Sequence, residues 1–351
     1  MVIKQSKLKL FVRFFFVFIS CFILTSCEKP DQAIVLPQAG EYQYATIDIG
    51  RGSAVINADE KYPREVFFQL KTNSQSSCSR TEWELEFDCS KFGTAVYLNS
   101  GIIELKLFPT GSVDFYANFS LPDSTSKLWK RDNPNGLIEQ SAFGYWAFII
   151  SGSYSYTNQV YILDRGWTCS PSERYKKIAL EGVNDKYYNM RYANLDGTGE
   201  RTVEIPKNRN KSFMRFTFRK NGTALDVEPL KTNWDLRFTR YWEDSVFARN
   251  VYQPYYVNGA LSNHENLVYV GRINDNRFED FGLEDARKIK FSDNRNVVGW
   301  DWKEFEVNKY KIVDNQYYII KDGEGAYYKM RFLDFYKNGE DGFIQLEYKR
   351  L

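Results

Sequence analysis

Side chains able to hold a transition metal are scarce in this chain, and their placing narrows the chemistry. The single histidine, His264, lies in Leu261-Ser262-Asn263-His264-Glu265-Asn266, a polar stretch that reads as a loop. A loop suits a ligand-capturing residue, and a plain solvated histidine carries the same signature. Just upstream, Tyr252, Tyr255 and Tyr256 cluster around Pro254. Their rings offer a stacking surface for a flat ligand, and their phenols are oxygen donors. An aromatic strand broken by Pro254 is the other reading. Met214 stands in Phe213-Met214-Arg215-Phe216, and Met190 and Met330 recur in similar Tyr-rich segments. Their thioethers are candidate metal ligands, while the alternation of Met330 with Tyr328 and Phe332 equally fits core packing.

Catalytic arrangements are harder to assemble. With one histidine and no serine elbow or nearby cysteine, neither a Ser-His-Asp nor a Cys-His site can be built. Gly50-Arg51-Gly52-Ser53 lacks the glycine spacing and the lysine of a phosphate loop. Asn274-Asp275-Asn276 with Glu279-Asp280 lacks the glycine of a calcium loop and reads as a turn. Cysteine pairs at zinc-finger spacing are absent. The charge balance, 47 basic against 45 acidic residues, gives no reason to expect a nucleic-acid partner. A binding protein is expected, not an enzyme.

The N-terminus carries an export signal over residues 1–26. Lys4, Lys7, Lys9 and Arg13 form a basic leader, and Phe14 to Leu24 an apolar run. That run is shorter than the roughly 20 apolar residues a bilayer span needs. Leu24-Thr25-Ser26-Cys27 is similar to the lipobox of bacterial lipoproteins, which makes Cys27 the lipidated first residue of the mature protein. Glu28 and Asp31, in a polar tether over 27–40, resemble surface-export signals of Bacteroidetes lipoproteins. The expected location is the outer membrane, lipid-anchored and facing the medium, with the periplasmic face as the alternative. Cys78, Cys89 and Cys169 remain; Cys78 and Cys89 flank one predicted strand and can pair in an oxidising compartment.

Strands must position these residues. Glu82-Trp83-Glu84-Leu85-Glu86-Phe87 alternates charged and apolar side chains, and Asn233-Trp234-Asp235-Leu236-Arg237-Phe238 repeats the alternation. Arg237 and Arg240 fall on the polar side of that strand, solvated or free to meet an anionic group. Asn99-Ser100-Gly101, Asn221-Gly222, Asp322-Gly323 and Asn338-Gly339 supply turns. One short helix is expected within Phe278 to Lys288. Segments also match in order along the chain: Trp83–Phe87 with Trp234–Phe238, Gly144-Tyr145-Trp146 with Gly299-Trp300, and Tyr161–Leu163 with Tyr318–Ile320. A fourth match pairs Tyr187–Tyr192 with Tyr327–Phe332. The reading is all-β, with two tandem β-units over 41–206 and 207–351.

The second unit resembles the HmuY family of Bacteroidetes haem-binding lipoproteins. The likeness rests on Asn233–Phe238, on Val298-Gly299-Trp300-Asp301-Trp302-Lys303, and on the terminal stretch from Tyr327 through Phe335-Tyr336 to Leu351. It covers about residues 211–351, with a fainter copy upstream. It implies an all-β fold, haem or a related porphyrin as ligand, and delivery to a TonB-dependent outer-membrane receptor. Family members hold iron with paired histidines or methionines, and this chain departs from that pattern. One histidine excludes a bis-histidine site, and Thr239 stands where some relatives place a histidine. His264, Tyr252, Tyr255, Tyr256, Met214 and Met330 remain as candidates.

Overall fold

Closely spaced turns and β-branched or aromatic runs leave almost no room for helix. The computed structural model describes residues 40–52, 57–219, 221–248 and 251–351, without the side chains at 168, 245–248, 251 and 252. The export signal, Cys27 and the tether up to residue 39 lie outside the described residues. What is described belongs to one compact unit.

Three strands open it: β1 (Tyr42–Asp48), β2 (Arg64–Gln69) and β3 (Ser74–Ser79). Next come β4 (Leu85–Asp88), β5 (Val96–Leu98), β6 (Leu105–Pro109), β7 (Ala147–Ile150) and β8 (Ser153–Tyr156). The upstream half continues with β9 (Val160–Arg165), β10 (Tyr175–Val183), β11 (Tyr187–Ala193), β12 (Arg201–Pro206), β13 (Phe213–Thr217) and β14 (Thr223–Leu225). Then follow β15 (Leu236–Ala248), β16 (Val251–Ser262), β17 (Tyr269–Asn274), β18 (Lys303–Glu306) and β19 (Lys309–Ile312). The last are β20 (Gln316–Lys321), β21 (Tyr327–Lys337) and β22 (Glu340–Arg350). Helix α1 (Leu283–Ala286) is a single turn, shorter than the sequence suggests. It holds because Phe278, Phe281 and Ala286 pack on Tyr317 and Ile319.

The sheets come in two matching sets. One set is β12-β11-β10-β9-β6 with β14-β13-β4-β5; the other is β1-β22-β21-β20-β17 with β3-β2-β15-β16. The hairpins β7–β8 and β18–β19 hold equivalent places in chain order. Sheet membership does not divide at residue 207. The first three strands complete the downstream set, and β13–β14 complete the upstream one. Two of the four matching segments fall on equivalent strands, Trp83–Phe87 with Trp234–Phe238 on β4 and β15 and Tyr161–Leu163 with Tyr318–Ile320 on β9 and β20. Gly144-Tyr145-Trp146 and Gly299-Trp300 lie outside the strands, ahead of the equivalent hairpins. The fourth match does not fall on equivalent strands: Tyr187–Tyr192 lies in β11, which corresponds to β22, whereas Tyr327–Phe332 lies in β21, which corresponds to β10. Neighbouring strands share the same aromatic alternation, so local likeness alone cannot choose between them.

Each set has its own core. Leu85, Phe87, Met190, Met214 and Phe216 belong to the upstream core; Val66, Phe68, Leu236, Phe238 and Met330 to the downstream one. The opposite faces of β2, β4, β13 and β15 carry charge. Alternation of this kind normally marks a strand with one face in water, and here both faces are covered. Arg237 is buried, donating to Glu86 at 2.9 Å, and does not lie on a solvated side. Arg215 meets Glu86 at 3.0 Å and Glu65 at 3.2 Å, with its guanidinium 3.8 Å from the Trp83 ring centroid. Cys78, Cys89 and Cys169 are free thiols, so the pairing of Cys78 with Cys89 is not made.

Candidate functional site

The longest strands create the site by outrunning their sheet. β2 pairs with β15 only from Leu236 to Phe238, while the β15–β16 pairing runs on to Ala248 and Val251. The result is a two-stranded arm beyond the core. It is pinned where Glu104 N–H donates to Tyr256 Oη at 2.9 Å and where Trp242 meets Tyr256 edge-on at 4.9 Å.

Between this arm and the β18–β19 hairpin lies a cavity of about 650 Å³. Arg240, Tyr255, Tyr256 and Asn258 come from the arm. Phe305 and Tyr310 face it from the hairpin, and Tyr336 and Asp341 from the β21–β22 turn region. Tyr62 enters from the segment between β1 and β2. Ligand cavities commonly measure about 300–1,000 Å³, are lined by aromatic side chains and carry a few placed polar groups. This one matches on all three counts.

Its back wall is continuous with the downstream core. Phe335 touches Tyr62 and Tyr310 at ring distances of 5.9 and 5.2 Å, and Trp302 stacks on Phe332 at 4.0 Å. Behind Tyr310, Lys303 is buried with Nζ 4.0 Å from the Trp302 ring, donating to the Asn258 carbonyl at 2.7 Å. Burial lowers its ammonium to about 7, against the opposing pull of Asp301.

Polar groups are fixed at the cavity. Tyr62 Oη donates to Asp341 Oδ2 at 2.7 Å, and Asp341 Oδ1 accepts the Gly52 N–H at 3.2 Å. Burial first, then the Asp341 carboxylate, push the Tyr62 phenol far above its ordinary range, so it holds its proton. Tyr310 N–H donates to Tyr336 Oη at 2.8 Å. Asn258 Oδ1 is buried and has no hydrogen-bond partner among the described residues. Lys61, Arg240 and Lys309 supply cationic groups, and Arg240 lies 4.9 Å from the Tyr256 ring.

The cavity gathers some of the residues singled out from sequence and leaves others elsewhere. Tyr255 and Tyr256 line it. Tyr252 occupies β16, but its side chain is outside the described residues. His264 sits in a single tight turn after β16, half-buried and edge-on to Tyr269 at 5.1 Å. Burial, then Arg295, lower its imidazole below the usual range, and its Nε2 lacks a partner among the described residues. It is not a cavity residue. Met214 and Met330 are enclosed in the two cores. Nothing in the local sequence of Tyr62, Tyr310 and Tyr336 separates them from other strand-edge tyrosines, so sequence alone does not mark them as cavity residues. Among the described residues no histidine, methionine or cysteine lines the cavity, and no cluster of three or more His, Cys, Asp or Glu suited to a metal ion occurs.

The family model described as HmuY protein matches residues 61–348, running through both sets of sheets as one match instead of stopping at about 211. A HmuY-like heme-binding protein from Bacteroides vulgatus ATCC 8482 is 12% identical, over 88% of this chain and 91% of its own, with a TM-score of 0.21. The apo HmuY analog of Tannerella forsythia is 10% identical, over 90% of this chain and 98% of its own, with a TM-score of 0.22. No curated protein matches the chain.

Proposed function

This chain belongs to the HmuY family, and from that premise we propose that it is a non-enzymatic carrier that binds haem or a related porphyrin in the cavity beside the β15–β16 arm. The observation that carries the proposal is the lining: tyrosine and phenylalanine rings around a space of about 650 Å³, with Lys61, Arg240 and Lys309 at hand. A flat tetrapyrrole offers an apolar face to the rings and two carboxylates to the cations.

The rest of the reading concerns the cell. Cys27 carries the lipid, the body lies at the outer membrane facing the medium, and haem passes on to a TonB-dependent receptor. Among the described residues no helix is long and apolar enough to cross a membrane, which accords with an anchor at Cys27. The matching sets of sheets support a duplication in which β1–β3 close the downstream copy.

Titration of haemin into a soluble form lacking residues 1–27 tests the ligand. A saturable Soret shift is expected; none under either oxidising or reducing conditions would remove the haem reading. One observation favours a second reading, in which the scaffold takes another ligand or a protein partner. Among the described residues the cavity has no histidine or methionine, the donors that serve in the family. Retained receptor capture without haemin binding would support that alternative.

A further inference from the structure

If haem occupies this cavity, its tyrosines offer phenol oxygens to the iron, and among the described residues no imidazole, thioether or thiol lines the walls. The candidate oxygens are not equivalent. Tyr256 Oη is engaged by the Glu104 N–H, and Tyr336 Oη by the Tyr310 N–H. Tyr62 alone among the cavity tyrosines donates its phenol proton to a carboxylate, at 2.7 Å from Asp341. The pair is also built. Tyr62 has φ of +51°, a left-handed backbone that a bulky residue adopts only when its surroundings enforce it. Its ring lies over Gly52, where an added Cβ would fall 2.1 Å from Cζ and 2.4 Å from Oη. Asp341 is buried and is steadied by the Gly52 N–H. The backbone at Tyr62 thus leaves its preferred region to hold a phenol against a carboxylate at a cavity wall.

We propose that Tyr62 supplies the phenol oxygen that would meet the iron of ferric haem in this cavity and that Asp341 is the positioning residue that directs this phenol; the proposal rests on the haem-binding reading above. The iron–oxygen bond would form at the expense of the Tyr62 O–H bond, the phenol proton leaving as water with a hydroxide displaced from the metal. Iron remains ferric throughout, so no electron donor is needed. A carboxylate behind a ligand raises its basicity and fixes its direction.

The test uses full-length protein in detergent, with haemin and metal-free protoporphyrin IX as probes. Wild type should bind both, and its haemin complex should show a phenolate-to-iron charge-transfer band and tyrosinate modes in resonance Raman spectra. Tyr62→Phe should lose the band and weaken haemin binding roughly tenfold or more, with protoporphyrin binding unchanged as proof of an intact cavity. Asp341→Asn should keep protoporphyrin binding and weaken haemin binding. Tyr255→Phe should leave the band in place. Absence of tyrosinate modes in the wild-type complex overturns the assignment even if the variants misfold. So does a Tyr62→Phe protein with wild-type haemin affinity and spectrum. Failure of wild type to bind either probe instead sinks the underlying haem reading.

Discussion

Arg237 Nη1 reaches Glu86 Oε2 at 2.9 Å, tying a strand of the downstream half to a strand of the upstream half with both side chains out of water. Arg215, Arg295, Glu65 and Glu228 complete the buried cluster. Breaking one partner of such a network leaves an uncompensated charge. Arg237→Met is expected to destabilise the protein by about 3–5 kcal/mol, read from urea unfolding. A loss under about 1 kcal/mol, the scale of an exposed pair, would show that the cluster is solvated.

The same cluster predicts an acid limb. Burial alone would raise Glu86, but Arg237, Arg215 and Arg295 outweigh it and hold the carboxyl at about 2, below its ordinary 4.5. The unfolded chain therefore binds more protons between those values, and the stabilisation, full above about 4.5, is lost as pH falls through about 2. Glu86→Gln should be less stable at neutral pH yet show a flatter curve across that window. Parallel curves for the two proteins would contradict this account.

Sequence made some of this legible. Alternation in Trp83–Phe87 and Trp234–Phe238 marks strands, and Asn338-Gly339, both at positive φ, marks the β21–β22 turn. What the alternation could not reveal is that the charged faces of β4 and β15 cover each other, because a polar face reads alike in water and against a polar partner. Tyr255 and Tyr256 were visible as a site because they adjoin in sequence. Tyr62 was not, since its partner Asp341 is 279 residues away and is brought near only by the pairing of β1 with β22.

Lys303 gives a pH dependence in the alkaline direction. Its ammonium titrates at about 7 in the folded protein against an ordinary 10.5. Between those values the unfolded chain holds the extra proton, so stability should climb as pH rises through the window. Lys303→Met, which keeps the stem among Trp302, Tyr310 and Phe335, should be more stable than wild type at pH 7 and lack the climb. Urea midpoints from neutral to alkaline pH decide it; a wild-type midpoint flat over that range would show that Lys303 stays charged.

Met330 separates packing from ligation. Its side chain is fully buried in the downstream core, in register with Tyr318 and Tyr348. Met330→Leu conserves volume and should cost less than about 1.5 kcal/mol, whereas Met330→Ala should cost about 2–5 kcal/mol. Neither should move the absorption bands of bound haemin. A spectral change in the leucine variant without loss of stability would make the thioether a ligand after all.

Arg240 tests recognition of the carboxylates. It is largely buried at the cavity, donates to the Ala58 carbonyl, and lies over the Tyr256 ring. Burial lowers its guanidinium, with Asp59 opposing, and it remains a cation at physiological pH. A charge-assisted hydrogen bond contributes about 1.5–3 kcal/mol. Arg240→Gln should therefore weaken haemin binding roughly tenfold to a hundredfold. Haemin dimethyl ester, whose propionates carry no charge, should bind wild type and variant with similar affinity. If the ester loses as much as haemin does, Arg240 shapes the wall and does not read the charge; if neither changes, the carboxylates are met elsewhere, with Lys61 and Lys309 the next cations at the cavity.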